Sequence, residues 1–115
     1  MVLRGPGERY VEGSRWTLAD GRGLAEVELM KGSASIKPST LYIENLEVKP
    51  EARGVGHGAA LFLLVQRFAY NVGARWIQID SERDAVGFWL RMGFEETGAS
   101  FYGGKVSMSK RVPEP

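Results

Sequence analysis

Residues 48–60 read VKPEARGVGHGAA, and this stretch decides the fold. Gly54, Gly56 and Gly58 alternate just ahead of an apolar run with helical spacing. In that run Leu61, Leu64, Val65, Phe68, Ala69 and Val72 recur at three- and four-residue steps, one face of an α-helix. Phe62 and Leu63 widen the face, which predicts a helix buried on more than one side. Upstream, Leu41 to Val48 (LYIENLEV) reads as a strand, and Lys49-Pro50 ends it because proline cannot donate to a ladder. A strand, a glycine loop and a helix start make a good anion site. Missing side chains let a ligand approach the backbone closely. The first-turn N–H groups of the helix lack partners, and the helix dipole adds positive potential there. Arg53 adds a full charge at the mouth of the loop.

Reading outward, Gly73 suits the end of the helix, and Arg75 to Asp80 (RWIQID) is a second strand. The order strand, helix, strand predicts a parallel βαβ unit with a right-handed crossover. A second helix spans Asp84 to Met92 and stops at Gly93; Phe94–Thr97 and Tyr102–Met108 are closing strands. Towards the amino terminus, Arg15–Leu18 and Leu24–Met30 flank Asp20-Gly21-Arg22-Gly23, a hairpin signal. The expectation is an α+β protein in α/β/α layers. Its sheet is mixed and mostly antiparallel, in one domain over residues 1–115 with loose ends at 1–8 and 110–115.

Composition excludes several functions. The chain has 115 residues, enough for one core, with 43% hydrophobic and 25% charged residues. A net charge of +1 gives no bulk field for nucleic acid or an anionic membrane, so neither is an expected partner. There is no cysteine and one histidine, His57, which argues against a disulfide scaffold, a thiolate nucleophile or a metal site. No start resembling a signal peptide is present, and the longest strongly apolar run, Ala59 to Val65, falls well short of the ~20 residues that span a bilayer. A soluble, cytoplasmic protein is expected.

Three phosphate-binding templates compete for the glycine loop. A Walker loop needs Lys-Ser/Thr after its last glycine, but Ala59-Ala60 follow Gly58. A dinucleotide fingerprint matches Gly54, Gly56 and Ala59, with Asp80 at the distance of a ribose-binding acid. That fingerprint wants a tight turn and more βα units after it, so a small dinucleotide-binding domain is a remote alternative. The third template is a resemblance. Arg53, Gly56 and Gly58, after a strand ending Val48-Lys49-Pro50, resemble the Arg/Gln-x-x-Gly-x-Gly/Ala loop of the GNAT superfamily of acyl-CoA-dependent N-acetyltransferases. Ala85-Val86-Gly87-Phe88-Trp89-Leu90-Arg91-Met92-Gly93-Phe94 is similar to that family's late helix, Ala-x-x-Phe-Tyr-x-x-x-Gly-Phe. Both motifs stand in the right order, and the resemblance covers about residues 40 to 97.

The resemblance implies a GNAT-like fold and transfer of an acetyl group from acetyl-CoA, as co-substrate, directly to an amine. The acceptor would be a small amine, a lysine or a protein N-terminus. It implies cofactor contacts at Leu46, Glu47, Val48, Arg53, Gly54, Val55, Gly56, His57, Gly58, Ala59 and Phe88. The loop amides would hold the pyrophosphate, and the pantetheine arm would add like a strand beside Leu46 to Val48. The backbone N–H of Val48 would meet the thioester carbonyl, an oxyanion-type contact.

The general base is open among Glu44, Glu47 and Asp80, with Glu44 the leading choice, and His57 is a weaker candidate whose place in the glycine loop suits the phosphates or solvent better. Strict alternation puts Tyr42, Glu44, Leu46 and Val48 on one face of the strand, and Leu41, Ile43, Asn45 and Glu47 on the other. Asp80 and Glu82 alternatively cap the second helix. Trp89 stands where the family's usual tyrosine acid would be, and an indole N–H delivers no proton, so either another group acts as acid, with Tyr102 a substitute by chemistry alone, or CoA leaves as thiolate. Glu82 replaces a usual asparagine. These departures admit a second reading, a non-catalytic acyl-CoA-binding or regulatory module. Trp16, Trp76 and Trp89 read as core before they read as a substrate wall. The first forty residues show no helical period, so the helix pair that usually follows the family's first strand is expected to be missing. The acceptor groove is then either open or completed by the second subunit of a homodimer.

Overall fold

The structure, a computed structural model, describes residues 2–4, 13–30, 39–50, 54, 56–100 and 103–114. Along the chain run β1 (Val2–Arg4), β2 (Arg15–Ala19), β3 (Gly23–Met30), β4 (Thr40–Val48), α1 (His57–Asn71), β5 (Trp76–Ser81), a 3-10 turn (Arg83–Ala85), α2 (Val86–Arg91), β6 (Glu95–Ala99) and β7 (Val106–Arg111). The strands form one sheet in the order β1-β2-β3-β4-β5-β7-β6. Among the described strands only the β4–β5 pair, joined through α1, is parallel. This is the expected mixed sheet with one βαβ crossover. Among the described residues no helix is long and apolar enough to cross a membrane.

One face of the sheet carries the core. Trp16, Leu18, Ala25, Val27, Leu29, Leu41, Ile43, Ile77, Ile79 and Met108 are buried beneath α1, which contributes Phe62, Val65, Phe68 and Ala69. Trp16 meets Phe68 edge to face at 5.1 Å between centroids. Leu63 does not widen the buried face, being 58% exposed. The helix has a single sheet face to cover, so its far side turns to solvent. Both helices end as their glycines predict. Gly73 and Gly93 take left-handed φ of 82° and 94°. The N–H of Ala74 reaches back to the Ala69 carbonyl at 2.9 Å, and that of Phe94 to Trp89 at 3.0 Å. Lys110 adds a side-chain cap to α2, donating from Nζ to the Met92 carbonyl at 2.8 Å. Burial pushes the Lys110 ammonium below its ordinary pKa.

Val2–Arg4 pairs with β2, and Lys110–Arg111 with β5. The expectation of strict alternation along β4 is corrected. Pairing with β3 steps from Val27↔Ile43 to Glu26↔Asn45, leaving Glu44 as the extra residue of a β-bulge. A one-residue step inverts every side chain beyond it. Leu46 and Val48 therefore pair with Ala25 and Gly23, on the core face with Leu41 and Ile43, while Glu44 stays on the opposite face with Tyr42.

The bulge also marks where the sheet forks. Parallel pairing runs from Thr40↔Trp76 to Ile43↔Ile79 and stops. Beyond it β4 follows β3, and β5 follows β7. The far end of β4 is held very close to β3. A β-carbon at Gly23 would be driven into the Glu47 carbonyl oxygen and to 3.1 Å from the Val48 Cα. Both obstacles are backbone, so neither can swing aside. Gly23→Ala is expected to destabilise the protein by about 2–3 kcal/mol in urea unfolding, a cost in the range of overpacked cores.

Candidate functional site

The forked end of β4, the start of α1 and the helix α2 enclose a groove of about 740 Å³. Leu46, Glu47 and Val48 line it from β4. Gly54, Gly56, His57, Gly58 and Ala59 line it from the loop and the first turn of α1. Ala85, Phe88, Trp89, Arg91 and Met92 line it from α2 and the turn before it. The structure thus brings together nine residues singled out in the sequence, from Leu46 to Phe88. Arg53 and Val55 lie outside the described residues, as does Tyr102. Glu44 does not line the groove; it stands at the fork on the other face.

Backbone geometry gives the groove its polarity. Gly54 and Gly56 have φ of 84° and 83°, a left-handed conformation that side chains disfavour. Gly56 is the N-cap of α1 and offers no side-chain cap, and the first turn contains no acidic residue. The opening N–H groups of α1 therefore face the groove without the capping oxygen that most helices supply. A β-carbon on Gly58 would sit 3.3 Å from Phe88 Cε1 and 3.8 Å from Val48 Cγ2, so glycine lets α1 approach both neighbours. On the β4 side, the Lys49 N–H donates to the Arg22 carbonyl at 2.8 Å. Antiparallel alternation then turns the backbone groups of Leu46 and Val48 away from β3, towards the side that β5 has left.

The opposite face of the fork is acidic. Glu44 Oε1 lies 3.6 Å from Arg15 Nε, whose shorter contact, 2.8 Å, is to Glu28 Oε1. Desolvation raises the Glu44 pKa; Arg15 pulls it down, and the neighbouring Glu28 and Glu26 push it up. Asp80 accepts hydrogen bonds from the Tyr42 hydroxyl and, at 3.1 Å, from Ser107 Oγ. It does not cap α2, which has no side-chain cap. Sequence places Tyr42 on the face of Glu44 but gives neither it nor Ser107 a partner, because each is an ordinary strand residue until register brings it to Asp80.

The tryptophans form no common wall. Trp16 and Trp89 are buried in the core, and Trp76 lies under the Arg111 guanidinium, 5.8 Å from its ring centroid. Trp89 serves twice: it lines the groove and contacts the rings of Phe62, Phe88 and Phe94. His57 Nδ1 is 3.5 Å from Arg22 Nη1, a contact from the β2–β3 hairpin that sequence reading missed.

Residues 23–110 match the family described as an acetyltransferase (GNAT) domain. No functionally curated protein matches the chain. Among solved structures, nourseothricin acetyltransferase is 27% identical over 87% of this chain and 65% of its own, with a TM-score of 0.66. A Bacillus subtilis acetyltransferase in complex with CoA is 20% identical, over 89% and 78% of the two chains, with a TM-score of 0.66. An aminoglycoside 6′-N-acetyltransferase complexed with coenzyme A is 13% identical, over 89% and 74%, with a TM-score of 0.69. This chain therefore spans just under two thirds of the nourseothricin enzyme's length. The matched span runs from β3 to β7 and contains the fork, the glycine-led helix and α2, and by that match the chain belongs to the GNAT acetyltransferase family.

Proposed function

We propose that this chain binds acetyl-CoA in the groove and passes the acetyl group directly to an amine. The carrying observation is the groove itself, where a forked strand end and an uncapped helix start face each other across one cavity. The ligand's pyrophosphate is held on the opening amides of α1. Its pantetheine arm runs along the Leu46–Val48 backbone. The Val48 N–H, turned away from β3, stabilises the developing charge on the thioester oxygen. The amine nitrogen attacks the carbonyl carbon, the carbon–sulfur bond breaks, and the electron pair leaves on sulfur. Trp89 has no proton to give, so CoA departs as thiolate.

The acceptor enters from the acidic face, where no described helix covers the fork. Glu44 takes the proton that the amine loses, directly or through one water. A small amine, a lysine or a protein N-terminus fits this reading.

Calorimetry with CoA, acetyl-CoA and NAD tests the binding step, and CoA must bind while NAD does not. Thiol release with a panel of amines tests transfer; CoA binding without turnover would mark a binding module instead. Glu44→Gln is expected to lower kcat about a hundredfold with the KM for acetyl-CoA unchanged. In the wild type, kcat/KM should climb as Glu44 ionises, at a higher pH than for a free glutamate, because its folded pKa is raised. Arg15→Gln should move that rise further up, since Arg15 is the group that lowers it. Stability has the opposite sign. A raised carboxyl favours the fold at low pH and loses that contribution as pH climbs through its folded pKa, so Glu44→Gln should flatten this loss.

A further inference from the structure

We propose that Arg22, at the tip of the β2–β3 hairpin, contacts a phosphate of the groove's ligand and forms a third side of the phosphate site. This rests on the acyl-CoA reading and extends it to a residue outside the glycine loop. The tip is fixed at both ends by backbone. Asp20 Oδ1 accepts from the N–H groups of Arg22 and Gly23 at 2.9 and 3.2 Å. The Arg22 carbonyl accepts from Lys49, just past the end of β4, at 2.8 Å. This sets the hairpin beside the groove, and its side chain reaches the first residue of α1, with Nη1 3.5 Å from His57 Nδ1. Arginine only donates, so any hydrogen bond in this contact is accepted by Nδ1.

The sign of the charge is the informative point. A helix N-terminus carries positive potential and favours anions, so a cation brought against it is unfavourable unless an anion joins them. Among the described residues no carboxylate supplies the usual remedy. Arg22 makes no ion pair among the described residues, the first turn of α1 has no acidic residue, and the Asp20 carboxylate is held by the turn's own amides. Arg15, also exposed and on the neighbouring strand, pairs with two glutamates, so this surface does neutralise its arginines elsewhere. Arg22 does not itself line the groove, but it reaches His57, which does, and the groove is large enough for a nucleotide-bearing ligand. A phosphate satisfies the helix start and the guanidinium together, with charge-assisted hydrogen bonds from both.

Calorimetry of the full chain with CoA, dephospho-CoA and pantetheine tests this. Arg22→Gln should weaken CoA binding about tenfold, the worth of one exposed charge-assisted contact, and flatten its salt dependence. Pantetheine, which has no phosphate, should bind the variant and the wild type alike. A loss shared by CoA and dephospho-CoA assigns Arg22 to the pyrophosphate; a loss confined to CoA assigns it to the 3′-phosphate. Arg22→Lys should restore most of the affinity. An unfolding midpoint equal to wild type is expected, since the hairpin is held through the backbone of this residue. Unchanged CoA affinity in Arg22→Gln, or an equal loss for pantetheine, overturns the assignment while leaving the acyl-CoA reading intact. A wild-type chain that fails to bind CoA removes both.

Discussion

Gly56→Glu is expected to abolish measurable CoA binding, a loss of more than a thousandfold, in a protein that remains folded. Position 56 is left-handed, so any side chain there costs ~1 kcal/mol of backbone strain. Among the described residues, its chain neighbours aside, nothing lies within 4 Å of a β-carbon at this position, so the new side chain has room to extend from the loop that lines the groove. Its carboxylate then occupies the place proposed for a phosphate. At a separation of ~4 Å and an effective dielectric of ~20, one such like-charge pair costs about 4 kcal/mol. One such pair is worth about a thousandfold in affinity, and a pyrophosphate carries more than one charge, so the loss exceeds that. The same carboxylate is welcome at an empty helix start, where it faces the dipole and uncapped amides. Stability in urea should therefore stay near wild type while calorimetry reads no binding. Gly56→Ala carries the strain without the charge and should weaken binding by no more than about tenfold.

Trp89→Ala is the second large effect, here on the fold. The indole is 4% exposed and touches Phe88, Phe94 and Phe62, at centroid distances of 4.9, 5.1 and 5.8 Å. These rings join α2 to α1, so its removal opens a cavity between the two helices that flank the groove. Emptying such a site costs about 3–5 kcal/mol, and urea unfolding should show the midpoint fall accordingly. Trp89→Phe keeps a ring among its neighbours and should retain most of the stability and CoA affinity. This separates the packing duty of the residue from its chemistry. An indole that fills the core this well explains how the position tolerates the loss of a phenol that could act as an acid.

The glycine loop and the βαβ unit were readable because their signals are local. Gly54 and Gly56 announce a backbone that no other residue adopts cheaply, and the apolar steps from Leu61 to Val72 carry a period. Gly73 and Gly93 are legible in the same way. The bulge at Glu44 is not. Its residue is neither glycine nor asparagine, and a bulge exists only in the pairing of two strands, so strict alternation assigned Leu46 and Val48 to the wrong face. The Tyr42–Asp80–Ser107 cluster needs three strands in register before it exists. Arg22 looked like a turn residue because that is its local role; its place beside His57 follows from how β3 meets β4. What the sequence hid is what long-range pairing creates.

The position of β7 sets a timetable for the nascent chain. β6 is made before β7, yet it touches the sheet only through β7, which inserts between it and β5. During synthesis β6 must wait unpaired, and α2 lacks the Lys110 cap on Met92 until the final strand emerges. The α2 side of the groove is thus fastened only once β7 has been made. A ribosome-bound chain halted before residue 106 would present the glycine loop and the α1 start while one side of the site was still unfastened, so ligand capture should coincide with completion of the sheet.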